Sequence, residues 1–93
     1  MPSAAASHIL VKTEAEATAL KAEIAAGTKF ADLAKKHSSC PSAREGGALG
    51  VFNPGDMVPE FDRVVFSNIA IGECSEPVKT QFGWHLVVVT MRK

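Results

Sequence analysis

Few side chains in this chain can do chemistry: three histidines, His8, His37 and His85, and two cysteines, Cys40 and Cys74. His8 lies in Ser7-His8-Ile9-Leu10-Val11 and His85 in Trp84-His85-Leu86-Val87-Val88-Val89, segments that are otherwise almost wholly apolar. An imidazole buried in such a segment needs a partner for each ring nitrogen. Neighbouring strands would let the two imidazoles serve each other. The residues alone leave two readings open, a satisfied structural pair or the polar centre of an active site. His37 closes a helical stripe and reads as a helix-end residue, where a cation is favourable. Cys74 has no histidine near it in sequence and reads as inert.

Cys40 sits in a polar loop before Pro41. A single cysteine is often a small inert residue. With two histidines elsewhere it could also be a thiol nucleophile. That second reading needs an Asn or Asp to orient the base, and an oxyanion hole, and neither is evident. There is no CxxC spacing, so the common zinc and thioredoxin-like spacings are absent. Leu49, Met57 and Phe61 border glycine-rich or turn segments, where no helix face requires them. With Phe82 at another turn they form either a small apolar pocket, suited to a compact apolar group, or a satellite of the core.

The elements that must position these residues follow from local signals. Ser7–Val11 reads as a strand buried on both faces, because its apolar residues do not alternate. Thr13-Glu14-Ala15-Glu16 is a capping box, with Thr13 as the cap and Glu16 reaching back. The helix it starts carries Ala17, Leu20 and Ile24 on one stripe and ends at Gly27, a natural residue just past a helix. A second helix shows Phe30, Leu33, Ala34 and His37 at helical spacing, with Thr28 as its expected cap. Ser38 to Asp56 reads as loop, with one short helical turn in it and a turn at Asn53-Pro54-Gly55-Asp56. Pro59 opens a third helix to Ser67, with Phe61, Val64 and Val65 facing inward. Ile71-Gly72-Glu73 is a turn. Ser75–Lys79 reads as a short edge strand containing Pro77. Gln81-Phe82-Gly83 turns into a last strand, Trp84–Met91. Strands at both ends with helices between them give an α+β domain, its first and last strands pairing near the sheet centre.

Composition narrows the function classes. The chain has 93 residues, 46% hydrophobic and 22% charged, with ten basic and ten acidic side chains and a formal net charge of +0. The balance argues against nucleic-acid binding and against a polybasic membrane-surface protein. The apolar content argues against disorder. The length suits one domain, taken as residues 1–93. The N-terminal segment lacks the basic and long apolar regions of a signal peptide. Two cysteines are too few for a disulfide framework. These features set the expectation of a soluble, monomeric, cytoplasmic protein.

Taken together, the segments resemble the parvulin family of peptidyl-prolyl cis/trans isomerases over nearly the whole chain, Ser7 to Arg92. The resemblance is carried by Ser7-His8-Ile9-Leu10-Val11-Lys12, by Cys40-Pro41-Ser42 followed by Gly46-Gly47-Ala48-Leu49-Gly50-Val51-Phe52, by Gly55-Asp56-Met57-Val58-Pro59-Glu60-Phe61, and by Pro77 to His85. It is greatest to the small single-domain bacterial members. It implies a four-stranded antiparallel sheet surrounded by four helices. It implies that His8 and His85 are the paired histidines with Thr80 hydrogen-bonded nearby, and that Cys40 stands where relatives carry Cys or Asp. Leu49, Met57, Phe61 and Phe82 fall on the proline-pocket positions. Two departures stand out. Ala48 replaces a frequent Asp, and Phe82 replaces the small polar residue of phosphate-directed relatives. The basic cluster of those relatives is also missing, because Lys12 is followed by Thr13, Glu14, Ala15 and Glu16.

The implied reaction is rotation about an Xaa-Pro amide, a bond whose resonance gives a barrier of about 18–20 kcal/mol. No bond is made or broken, so no nucleophile, metal or cofactor is needed. A ten-thousandfold acceleration requires roughly 5–6 kcal/mol of preferential transition-state binding. An apolar grip from Leu49, Met57, Phe61 and Phe82 would remove water from the planar, charge-separated amide. A polar rim of His8, Cys40, Thr80 and His85 would favour the twisted one. The expected partners are proline-containing polypeptides, with a hydrophobic residue before proline and no phosphate. The competing class is a holdase that binds such segments without turning them over, and it would have no use for the polar rim.

Overall fold

A computed structural model describes residues 3–57, 59–66 and 69–92. The first strand, β1 (Ala4–Val11), leads through Thr13 into helix α1 (Glu14–Ala25). The Thr13 hydroxyl accepts from the Glu16 N–H at 3.2 Å, which is half of the expected capping box. α1 ends in a paired closure. The Gly27 N–H bonds the Ile24 carbonyl and the Thr28 N–H bonds the Glu23 carbonyl, both at 3.0 Å, with Gly27 at φ +110°. This is a Schellman motif, and the left-handed residue it needs is glycine.

The Thr28 N–H completes that closure, and the next helix begins one residue later than expected, so Thr28 is not at its cap position. Helix α2 (Phe30–His37) is entered through Lys29, in extended conformation and without a side-chain cap. A 3-10 helix, Pro41–Glu45, follows and turns through Gly46 and Gly47 into strand β2 (Ala48–Phe52). β2 falls in the stretch expected to be loop. It is an edge strand, largely exposed and interrupted by Gly50, so no alternation marks it in the sequence. The Asn53–Asp56 turn closes with the Asp56 N–H on the Asn53 carbonyl at 3.1 Å. Helix α3 (Pro59–Val65) starts at Pro59 as expected, burying Phe61 and Val65 with Val64 half-buried, while Ser67 lies outside the described residues. Among the described residues there are three α-helices and one short 3-10 segment, where four helices were expected.

The third strand, β3, is Val78–Thr80 rather than Ser75–Lys79, and Pro77 lies just before it. Proline has no N–H for the ladder, so the pairing to the last strand is interrupted there. Cys74 bridges Val88 and the Ser75 N–H donates to the Val87 carbonyl at 2.8 Å before it, and the regular strand resumes at Val78. The last strand, β4, is Gly83–Arg92. The sheet order is β2-β1-β4-β3, all antiparallel, with the two terminal strands in the centre.

Both sheet faces are covered. Ile9, Val11 and Leu86 pack with Ala17, Leu20, Leu33 and Ala34 of α1 and α2. Ala4, Ala6, Val87 and Val89 pack on the other face with Phe52, Phe61 and Val65. The Arg92 guanidinium fastens α3 to β4 by donating twice to the Val65 carbonyl, at 3.0 and 2.8 Å.

Candidate active site

His8 and His85 lie on the α3 side of the two central strands. In the ladder His8 faces Val87 and His85 faces Leu10, so the histidines are diagonal neighbours on one face. Their rings stack with centroids 5.2 Å apart and 15° between planes, and the two Nδ1 atoms are 3.0 Å apart. The outer nitrogens are satisfied by hydroxyls. Thr80 Oγ1 lies 2.8 Å from His85 Nε2, and Ser42 Oγ lies 3.2 Å from His8 Nε2. Thr80 also accepts the Phe82 N–H at 3.1 Å, which ties the β3–β4 turn to the network.

Only one proton fits between the two Nδ1 atoms, so the chain from Ser42 to Thr80 has two consistent proton orders. In one, Ser42 donates to His8, His8 to His85 and His85 to Thr80. In the other every bond reverses. Either order leaves both imidazoles neutral and every ring nitrogen paired. The environment enforces neutrality. His8 is 6% exposed and His85 5%. Burial, reinforced by the neighbouring His85, lowers His8 to about 4. Burial also lowers His85, against a partial opposing pull from the Glu60 carboxylate.

Two backbone contacts hold this arrangement. The His8 N–H donates to the Gly47 carbonyl at 2.9 Å. Gly47 has φ +88°, and a Cβ there would collide with the His8 carbonyl. Beyond the reach of β2, the Leu10 N–H donates to Ser38 Oγ at 3.0 Å and the Leu10 carbonyl accepts the Ser39 N–H at 2.8 Å. That clamp delivers Cys40 to the site.

Beside the imidazole pair lies a cavity of about 370 Å³, lined by His8, Leu10, Ser39, Cys40, Pro41, Leu49, Met57, Phe61, Phe82 and His85. The volume is at the lower end of the ~300–1,000 Å³ typical of small-molecule sites. Phe61 is the floor. It is buried and meets His8 and His85 edge-on, at centroid distances of 5.8 and 6.2 Å. Phe82 is 63% exposed at the rim. An edge-on aromatic against two neutral imidazoles gives the cavity an apolar body and a polar wall.

The structure therefore brings together His8, Cys40, Leu49, Met57, Phe61, Phe82 and His85, with Thr80 behind His85. His37 is exposed at the end of α2 and Cys74 packs against the opposite face of the sheet, and neither lines the cavity. Ser42 had no role in the sequence reading beyond its place in a motif. Its signal was there, since two buried imidazoles that share one bond still need two outer partners, and only Thr80 had been named. Leu10 was also missed, although strand alternation puts it on the same face as His8. Among the described residues no cluster of three or more metal-ligating side chains occurs.

Comparison with known proteins agrees with this geometry. The family model for rotamases of the PPIC type, a peptidyl-prolyl isomerase domain, matches residues 3–91. Foldase protein PrsA of Exiguobacterium sibiricum is 48% identical over 89 residues, which are 95% of this chain and 29% of that protein. This chain spans about a third or less of the length of the curated relatives it matches. The crystal structure of the peptidylprolyl isomerase PrsA from Bacillus anthracis superposes with a TM-score of 0.95 and 40% identity, over 99% of this chain and 42% of that one. The solution structure of the parvulin of Nitrosopumilus maritimus gives 0.85 and 39%, over 96% of each chain. The fold, a sheet with its terminal strands central, is thus shared with these structures, and, with the family model matching nearly its whole length, the chain belongs to the parvulin family of PPIC-type peptidyl-prolyl cis/trans isomerase domains.

Proposed function

We propose that this domain isomerises Xaa-Pro bonds in flexible polypeptide segments, that it favours a large apolar residue before proline, and that it does not seek phosphate. The observation that carries the reading is the pairing of an apolar cavity with a buried, uncharged imidazole network. The cavity grips a pyrrolidine ring and strips water from the planar amide, whose charge separation water stabilises. The neutral polar wall then favours the twisted amide, in which carbonyl and nitrogen are decoupled. A pure holdase would need the grip alone, and the buried network is a costly feature to keep without a use.

Two features support the preference before proline. The cavity lining contains no Lys or Arg among the described residues. A phosphorylated side chain brings a charge of about −2 and needs a cationic site. Phe82 instead presents an exposed ring at the rim, on which an apolar side chain packs. The test is kcat/KM on matched tetrapeptides that differ only before proline. Leu, Met or Phe should exceed phospho-Ser or Glu, and the reverse order would mean a basic site assembled from distant residues such as Arg63 or Lys79.

The same reading takes the domain as a monomer in a reducing, cytoplasmic setting. Every site residue comes from one chain, and Cys40 and Cys74 are both free thiols. Sedimentation and cell fractionation test these two points.

A further inference from the structure

Beyond the proline cavity a second depression runs along the 3-10 helix. It encloses about 520 Å³ and is lined by Ser39, Cys40, Pro41, Ala43, Arg44 and Glu45. Ser39, Cys40 and Pro41 line the proline cavity as well, so the two hollows share one rim. Ser39 and Pro41 are exposed and Cys40 is half-buried, whereas the inner wall of the proline cavity is closed by the buried His8, His85 and Phe61. A polypeptide whose proline occupies the first cavity must continue outward on both sides of it. Because the two hollows share Ser39, Cys40 and Pro41, a chain leaving the first over that rim enters the second directly.

The chemistry of that hollow suits a main chain more than any one side chain. Arg44 and Glu45 are exposed, and neither side chain makes a hydrogen bond or ion pair with the described residues. A guanidinium only donates and a carboxylate only accepts. A peptide unit offers a carbonyl and an N–H, one for each. The adjacent opposite charges cancel, so a charged substrate side chain meets little net attraction. Pro41 and Ala43 supply a small, featureless floor.

We infer that this depression is a second substrate subsite, which holds the main chain on one flank of the proline, with Arg44 donating to a peptide carbonyl and Glu45 accepting a peptide N–H. The inference rests on the isomerase reading of the adjoining cavity. The contacts lie away from the rotating bond and are made equally before and during rotation, so they lower KM and leave kcat alone.

The experiment compares a Leu-Pro tetrapeptide with two longer peptides, extended by Ala and Ser residues on the N- or the C-terminal side, in the wild-type protein and in the Arg44→Ala/Glu45→Ala double variant. Both substitutions are on the surface and together leave the net charge unchanged. One of the two extensions should lower the wild-type KM by roughly three- to tenfold, the size expected of one or two hydrogen bonds offset by ordering. The double variant should lose that advantage and keep its tetrapeptide kinetics. A wild-type protein that turns over the tetrapeptide but gains nothing from length sinks the subsite and spares the isomerase reading. A length advantage that survives in the double variant also sinks it, as does an equal loss on short and long peptides. Failure to turn over any Xaa-Pro peptide would instead sink the isomerase reading itself.

Discussion

His8 and His85 meet through their Nδ1 atoms at 3.0 Å, although neither is the other's partner in the β1–β4 ladder. Diagonal neighbours in a sheet have Cα atoms about 7–8 Å apart, a gap that two rings leaning toward each other can close. Each ring is thus the inner hydrogen-bond partner of the other, in a site almost without solvent.

Each partner depends on the other, so their removal should not be additive. His8→Ala or His85→Ala should each cost about 1–3 kcal/mol, because the remaining imidazole keeps a buried nitrogen without a partner. The double variant should cost less than the sum, since no stranded group is left. Urea denaturation of the four proteins checks this, and strictly additive losses would rule out the direct pair.

The pair also sets an acid limit. In the unfolded chain each imidazole titrates near about 6.5, while burial lowers both in the folded protein, His8 to about 4. Between these values the unfolded state binds protons that the folded state refuses. Their contribution to stability is therefore intact above about pH 7 and is lost as pH falls from about 6.5 towards 4, at up to about 1.4 kcal/mol per pH unit and group. Urea midpoints should be lower at pH 5 than at pH 7, and a His8→Gln/His85→Gln variant should flatten the difference. An unchanged slope in that variant would mean that other groups cause the acid sensitivity.

Cys40 lines the cavity, yet no hydrogen bond joins its Sγ to either imidazole, so no base stands ready to activate it. Cys40→Asp should retain measurable isomerase activity, consistent with a side chain that tunes the field near the substrate carbonyl. Mass spectrometry during turnover should find no covalent substrate adduct. A trapped acyl-enzyme would overturn the assignment.

The pocket residues divide by burial. Phe61 is 3% exposed and packs on Phe52 as well as on the two imidazoles. Phe61→Ala should cost about 3–5 kcal/mol of stability and also weaken substrate binding. Met57 is only half-buried, so Met57→Ala should raise KM at a smaller folding cost. Circular dichroism establishes that each variant is folded before its kinetics are read. Folded Phe61→Ala protein with unchanged kcat/KM would place the proline grip elsewhere.

What the sequence determined by itself was mostly local or strongly patterned. The Thr13 cap, the glycine that ends α1, Pro59 at the start of α3 and the apolar terminal strands are all legible, because each depends on the chemistry of a few neighbouring residues. The central position of β1 and β4 followed from strands at both ends of the chain with helices between them, and the lack of alternation in β1 marked it as covered on both faces. The resemblance to a family supplied the proline-pocket positions. Tertiary structure decided the rest. β2 is a strand because the exposed edge of β1 needs hydrogen-bond partners, a demand that leaves no mark on Ala48–Phe52 itself. Thr28 had the right chemistry for a cap, but the chain closes α1 through its N–H and starts α2 one residue further on, with Lys29 at the cap position. Ser42 became the outer partner of His8 because the 3-10 helix folds back over β1. The demand for such a partner was visible in the buried imidazoles, but which hydroxyl would meet it depended on contacts 34 residues apart in the chain.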